Sequence, residues 1–242
     1  MILHLPHASK LIPFMDGYVL PMERLQAEIH LLTDHYTDDL FQREDAFVVK
    51  SPCSRIFCDM ERFEDDALEV MSRYGMGVLY TRTDDGTLMR QVSPDLRHRI
   101  LEEYYRPHHQ RLTMAVDAEL DAYGSAIVFD CHSYPENPLI RDLDQNRNRP
   151  DFNIGTDEFH TPAEWVARSV DFFKSYGYSI GVDWPYKGCI VPMKHYRSNP
   201  QVKAIMLEVN RKLYMDEKDG ARLSSFNSIR AVVQSFIEEM CR

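Results

Sequence analysis

Ser125-Ala-Ile-Val-Phe-Asp-Cys-His-Ser-Tyr-Pro135 is the stretch on which the reading of this chain turns. It opens as a short apolar run with the composition of a β-strand and closes in Asp130-Cys131-His132-Ser133. An imidazole is thus expected at a strand terminus with a carboxylate beside it. A histidine that ligates a metal needs its second nitrogen oriented by a carboxylate or a carbonyl, and Asp130 or a backbone oxygen can serve. A histidine hydrogen-bonded at a strand end is equally ordinary, so the fold and the other candidates have to be worked outward from this run.

Comparable β-rich runs occur at residues 2–5, 46–50, 55–59, 77–80, 178–182 and 203–209, with helical patterns between several of them. Leu25, Ile29, Leu32, Tyr36 and Leu40 recur at steps of three and four and share one helix face. Ser93-Pro94 reads as an N-cap with proline at the first helical position, opening a helix to about Tyr123 that Pro107 should kink or divide. Thr161-Pro-Ala-Glu164 reads as a capping box, and a last helix is expected from Ala221 to the end of the chain. Strands alternating with helices predict an α/β fold: a central, largely parallel sheet covered on both faces.

Nothing in the composition divides the chain. At 242 residues, 44% hydrophobic and 27% charged, without repeats or a low-complexity linker, residues 1–242 are expected to form a single domain. The net charge of −10 argues against nucleic acid, which needs a basic stripe. No apolar stretch approaches the roughly 20 residues that span a bilayer, and no signal peptide is visible. The five cysteines are odd in number and lack C-x-x-C spacing, so they read as plain thiols of a reducing cytoplasm.

In such sheets chemistry gathers where strands meet loops. His7 follows the first run, behind Pro6 and ahead of the small residues Ala8 and Ser9; His4 alternates with Ile2 and reads as a packed strand histidine. Glu208 follows the apolar Ala204-Ile-Met-Leu207, and a carboxylate there has few solvated alternatives. A hydrolytic zinc site needs about three protein ligands, an open position and a nearby base. His7 and His132 supply two ligands and Glu208 the base. Lys10 stands where an H-x-x-E pair would put its acid, and no H-E-x-x-H occurs, which lowers a metalloprotease reading. Asp34 is the choice for the third ligand. It requires the helix to break near Thr33, and His30, His35, Glu28 and Asp38 compete for the role.

These residues lie in segments that resemble the N-formylglutamate amidohydrolase family nearly end to end. Pro6-His7-Ala8-Ser9, Thr33-Asp34-His35, Ser54-Arg55-Ile-Phe-Cys-Asp59-Met-Glu61-Arg62, Tyr105-Arg-Pro107-His108-His109-Gln110, Asp130–Ser133, Pro150–Thr156, Lys187-Gly188, His195-Tyr196 and Leu207-Glu208 follow in the family's order. The resemblance implies a mixed sheet between helical layers, similar to zinc carboxypeptidases and aspartoacylase. It implies a cytoplasmic zinc-dependent amidohydrolase of histidine degradation, acting on a small N-acyl amino acid such as N-formylglutamate. His7, Asp34 and His132 would hold Zn2+, Glu208 would be the base, and Arg55 and Arg62 would bind substrate carboxylates. Arg90 and His195 are further substrate-binding candidates. The chain departs from the family at Glu61, where Asn usually precedes the arginine. A non-catalytic metal- or ligand-binding relative is the alternative, against which the joint presence of His7, His132 and Glu208 counts.

Overall fold

The computed structural model describes residues 1–241. Its centre is one six-stranded sheet built from β1 (Ile2–Leu5), β2 (Phe47–Lys50), β3 (Ala126–Tyr134), β4 (Phe152–Gly155), β5 (Ile180–Val182) and β6 (Val202–Asn210), in the order β2-β1-β3-β6-β4-β5. The strands β2, β1, β3 and β6 run parallel; β4 pairs antiparallel to β6 and carries β5 parallel to itself. Helices cover both faces, as expected: α1 (Met22–Leu32), α2 (Thr37–Leu40), α3 (Pro94–Ile100), α4 (Arg106–Tyr123), α5 (Ala163–Ser175) and α6 (Phe226–Met240). No described helix is long and apolar enough to cross a membrane.

The period-two alternation of the central strands sets the two faces apart. Leu3, Leu5, Phe129, Cys131, Ile205, Leu207 and Val209 form the larger core with Trp165 and Phe173 of α5, Phe236 of α6 and Leu40 of α2. On the opposite face Ile2, Val128 and Ala204 pack under Leu112, Ala115 and Val116 of α4. Further along the same strands this second face turns polar. His4 pairs with Asp130, Asp130 with Met206, and His132 with Glu208, each side by side in register. One face is therefore core throughout, and the other is core at one end and a polar floor at the other.

Several expectations need correction. β3 and β6 run on through His132 and Glu208, so both side chains stand within strands and not after them. Residues 55–59 and 77–80 are loops. A tight turn bonds the Phe57 and Cys58 N–H groups to the Ser54 carbonyl, and Phe57, Cys58, Val78 and Leu79 are apolar because they fill a separate core with Ile100, Leu101 and Tyr105. The short β4 carried no strand signal. Thr161 does not cap α5: its hydroxyl donates to the Ala204 carbonyl at 2.7 Å, and no side chain caps that helix. The last helix begins at Phe226, because Arg222 first makes an antiparallel bridge to Met215; the chain's last residue, Arg242, lies outside the described residues. Ser93 does accept from the Leu96 N–H, and the helix it opens is divided by a π-helical turn at Leu101–Tyr105, directly before Pro107.

Glu28 is not near the metal-ligand candidates in function: its buried carboxylate accepts the Asp84 N–H at 2.7 Å. Burial pushes its carboxyl up to about 7, the Asp84 N–H opposing and the Asp84 and Asp85 charges adding. A carboxyl raised in the folded state favours folding fully below its unfolded value, near 4.3, and that contribution is lost as pH rises through 7. Glu28→Gln keeps an acceptor oxygen without the charge. It is expected to raise stability by about 2 kcal/mol at pH 8.5 and by almost nothing at pH 4, read from thermal unfolding at both. An equal effect at both pH values would show that Glu28 does not titrate in this range.

Candidate active site

Asp34 reaches the polar floor because α1 ends where it does. The Thr33 hydroxyl donates to the Ile29 carbonyl at 2.6 Å, Thr33 itself is extended, and Tyr36 takes the left-handed conformation with φ 64° before α2 begins. The expected break near Thr33 is present. The freed Asp34 N–H donates to the His7 carbonyl at 3.0 Å, tying the break to the loop after β1. Arg211, just past β6, donates to Asp34 Oδ1 at 3.0 Å and to the Leu31 carbonyl at 2.8 Å, clamping the helix end and the carboxylate together.

His7, Asp34 and His132 are all buried, and one ligand atom from each lies within 4.8 Å of the others. Asp34 Oδ2 is 3.2 Å from His132 Nδ1 and 3.7 Å from His7 Nδ1. Each ring is backed by a carboxylate on its far side: His7 Nε2 donates to Asp59 Oδ1 at 2.8 Å, and His132 Nε2 to Asp130 Oδ1 at 3.1 Å. Both Nδ1 atoms are thereby turned toward Asp34. His7 Nδ1 and Glu208 Oε2 are buried without a hydrogen-bond partner. An unsatisfied buried group costs about 1–3 kcal/mol, so it calls for a function. Two imidazoles and a carboxylate, with both rings oriented from behind, fit a divalent cation of the zinc type, which would engage His7 Nδ1.

Electrostatics follow the same geometry. Burial opposes ionisation of Asp34, but its hydrogen bond to His132, the neighbouring His7 ring and the charge of Arg211 hold the carboxyl well below the usual range. Glu208 goes the other way. Burial, then Asp34 and Glu61, push it up to about 8 against the pull of His132.

A second group, His4, Glu61 and Asp130, is also close enough to hold a metal. His4, however, is spent within the fold, its Nδ1 on Asp130 Oδ1 and its Nε2 on His108 Nε2, both at 2.9 Å. This is the packed strand histidine expected. Glu61 Oε2 lies 3.0 Å from His132 Nε2, so the residue that departs from the family's pattern faces the site.

The site opens into a cavity of about 200 Å³ whose lining includes His7, Asp34, His132, Glu208, Glu61 and five cations, Arg55, Arg62, Arg141, Lys187 and Arg211. Asp59 organises one wall. It accepts from His7, from Arg55 Nη2 at 3.0 Å and from the Tyr80 hydroxyl at 2.8 Å, and Arg62 Nε lies 3.9 Å away. Arg90 and His195 are not brought to this cavity. Arg90 is fully buried between the Tyr18 and Phe57 rings and donates to the Phe57 carbonyl, a loop-bracing role. His195 Nε2 bonds Asp117 of α4 at 2.8 Å.

Tyr80 and Arg141 were not singled out from the sequence; Asp59 stood in a block matched to the family and Arg211 closed the stretch that holds Glu208, but neither was given a role. Arg211 had a signal, standing three residues after Glu208 at the end of the same run. Arg141 had none, since it sits in a loop dense with charged residues.

Comparison with known proteins now adds to this geometry. The family model described as N-formylglutamate amidohydrolase matches residues 1–215. An N-formylglutamate deformylase of Pseudomonas aeruginosa is 25% identical over 99% of this chain and 92% of its own length. One from Pseudomonas putida is 26% identical over 72% of this chain and 66% of its own. Among solved structures, an N-formylglutamate amidohydrolase from Ralstonia eutropha JMP134 superposes with a TM-score of 0.84 over 97% of this chain and 90% of that one, at 22% identity. A gene product of Agrobacterium tumefaciens superposes with a TM-score of 0.64 at 15% identity, over 100% of this chain and 88% of that one. The family model spans most of the 242 residues, and the chain belongs to the N-formylglutamate amidohydrolase family.

Proposed function

We propose that residues 1–242 act as one catalytic domain that performs zinc-dependent hydrolysis of the amide bond of an N-acylated acidic amino acid, with N-formylglutamate as the reference substrate. The observation that carries this reading is the convergence of His7 Nδ1, His132 Nδ1 and Asp34 beside the unpartnered Glu208 Oε2, at the floor of a cavity rich in arginine.

His7, Asp34 and His132 would hold the ion, which when bound supplies Lewis acidity and lowers the pKa of a water toward 7. Glu208 takes the proton from the attacking water at Oε2 and returns it to the leaving amine. Its place beside His132 on the neighbouring strand puts it against the attack site. Arg55, held by Asp59, is the cation assigned to the developing oxyanion in this scheme, and its charge is fixed in place before the reaction begins. Arg62, whose planar guanidinium is suited to the task, and Lys187 receive the substrate's carboxylates.

Two measurements test the reading. Elemental analysis should find close to one zinc per chain, and a panel of N-formyl-, N-acetyl- and N-succinyl-amino acids should be hydrolysed in preference to peptides. A chain that carries no metal and cleaves none of the panel is not an amidohydrolase of this kind. Glu61 bears on the substrate within that panel. Its carboxylate lines the cavity beside His132 and His7, and its charge would repel a second substrate carboxylate placed there. Glu61→Asn is therefore expected to raise kcat/KM for N-formylglutamate relative to an N-formyl amino acid with a neutral side chain, by about tenfold for a repulsion of about 1.4 kcal/mol. An unchanged ratio would mean that the departure at Glu61 has no bearing on the acidic side chain.

A further inference from the structure

A second cavity, of about 330 Å³, adjoins the first and shares Glu61, Arg62, Lys187 and Met206 with it as common wall. We propose that this second cavity is an acyl subsite and that the chain hydrolyses N-acyl acidic amino acids whose acyl group is apolar and longer than formyl; this rests on the amidohydrolase reading above.

An amide bond has two sides, and the two cavities differ as those sides would require. The first is strongly polar, lined by five cations and by the acids Asp34, Glu61, Asp84, Asp142 and Glu208, and its cations give the amino acid's carboxylates their partners. The second is walled by Phe63, Tyr105, Val191, Met193 and Tyr196, and its only cations are the shared Arg62 and Lys187. Both of its acids are engaged: Asp130 with Oδ1 on His4 and His132 and Oδ2 accepting the Ile190 N–H at 2.8 Å, and the shared Glu61 with Oε2 3.0 Å from His132 Nε2. His109 adds no charge, because burial pushes its pKa down to about 4. A formyl group ends in a hydrogen and needs no such room.

The connection runs along β6. Met206 stands on the same face as Glu208 and two residues before it, about 7 Å along the strand, so its thioether lies at the neck between the cavities. A methionine neck is unbranched and adapts to chains of different length. At the mouth, Phe63 is 45% and Met193 68% exposed, two large apolar side chains in water beside an apolar cavity.

The test is a chain-length series on one amino acid: N-formyl-, N-acetyl-, N-butyryl-, N-hexanoyl- and N-succinyl-glutamate, with released glutamate measured directly. From acetyl to butyryl kcat/KM should rise about fourfold per methylene, the rate equivalent of burying one CH₂. N-succinyl-glutamate, the same length as butyryl but charged at its end, should be at least about tenfold poorer than N-butyryl-glutamate, because a carboxylate gains nothing from an apolar wall. Val191→Phe fills the cavity from its wall, and Met193→Trp narrows its mouth from an exposed position that tolerates change. Both should flatten the series, and the second keeps the test available if the first fails to fold. Turnover of N-formylglutamate with rates that fall steadily from acetyl onward would overturn the acyl subsite and leave the amidohydrolase reading standing. A series unaffected by both variants would also overturn it. Failure to hydrolyse any member would sink the amidohydrolase reading and the subsite with it.

Discussion

Glu208→Gln is expected to lower the turnover of N-formylglutamate by about 10²-fold or more while zinc content stays near one per chain. The glutamine keeps the size and shape of the side chain, so the register pairing of β6 with β3 and the position opposite His132 should persist. What is lost is an oxygen able to accept a proton. In the native chain that oxygen, Oε2, is buried and has no hydrogen-bond partner among the described residues. A structural carboxylate at the same place would be expected to have found a donor. The measurement is kcat with metal content determined on the same sample. Parallel loss of metal and activity would reassign Glu208 as a ligand, and undiminished turnover would remove it from the chemistry.

His132→Ala is expected to reduce bound zinc from near one per chain to a small fraction, and activity with it. Only His7 and Asp34 of the three proposed donors would remain, fewer than a zinc site of either kind uses. The fold should survive the change. Asp34 keeps its bond from Arg211 at 3.0 Å, and Asp130 keeps His4 and the Ile190 N–H, so neither buried carboxylate is left bare. Losing one charged partner should still lower stability by about 3 kcal/mol, visible as a lower unfolding temperature. Elemental analysis after gel filtration decides the matter. Full zinc occupancy in His132→Ala would mean that the ion sits elsewhere, with His4, Glu61 and Asp130 the next group to examine.

The sequence by itself determined the class of fold and the chemical residues along it. Apolar runs of strand length separated by helix-period segments leave a covered, largely parallel sheet as the economical solution, and the structure has one. His7, His132 and Glu208 stood out because polar groups adjoining apolar strands are few, and all three line one cavity. The helix break at Thr33 was also legible, since an unbroken helix would have turned Asp34 away from its neighbours.

Other features were decided only by tertiary structure. Residues 55–59 and 77–80 look like strands because burial selects apolar side chains whether or not the backbone joins a ladder. The roles of Asp59 and Arg211 depend on chain segments far apart in sequence meeting: Asp59 backs His7 from 52 residues away, and Arg211 clamps Asp34 from 177. Arg90 and His195 were candidates on residue type and, for His195, a short matching segment, and the fold gives one to the Tyr18–Phe57 packing and the other to Asp117. Local pattern records which side chains must be buried and which face of an element they share, because those constraints act within a few residues. Which buried polar group meets which is set by strand order, register and loop closure, and these are properties of the folded chain as a whole.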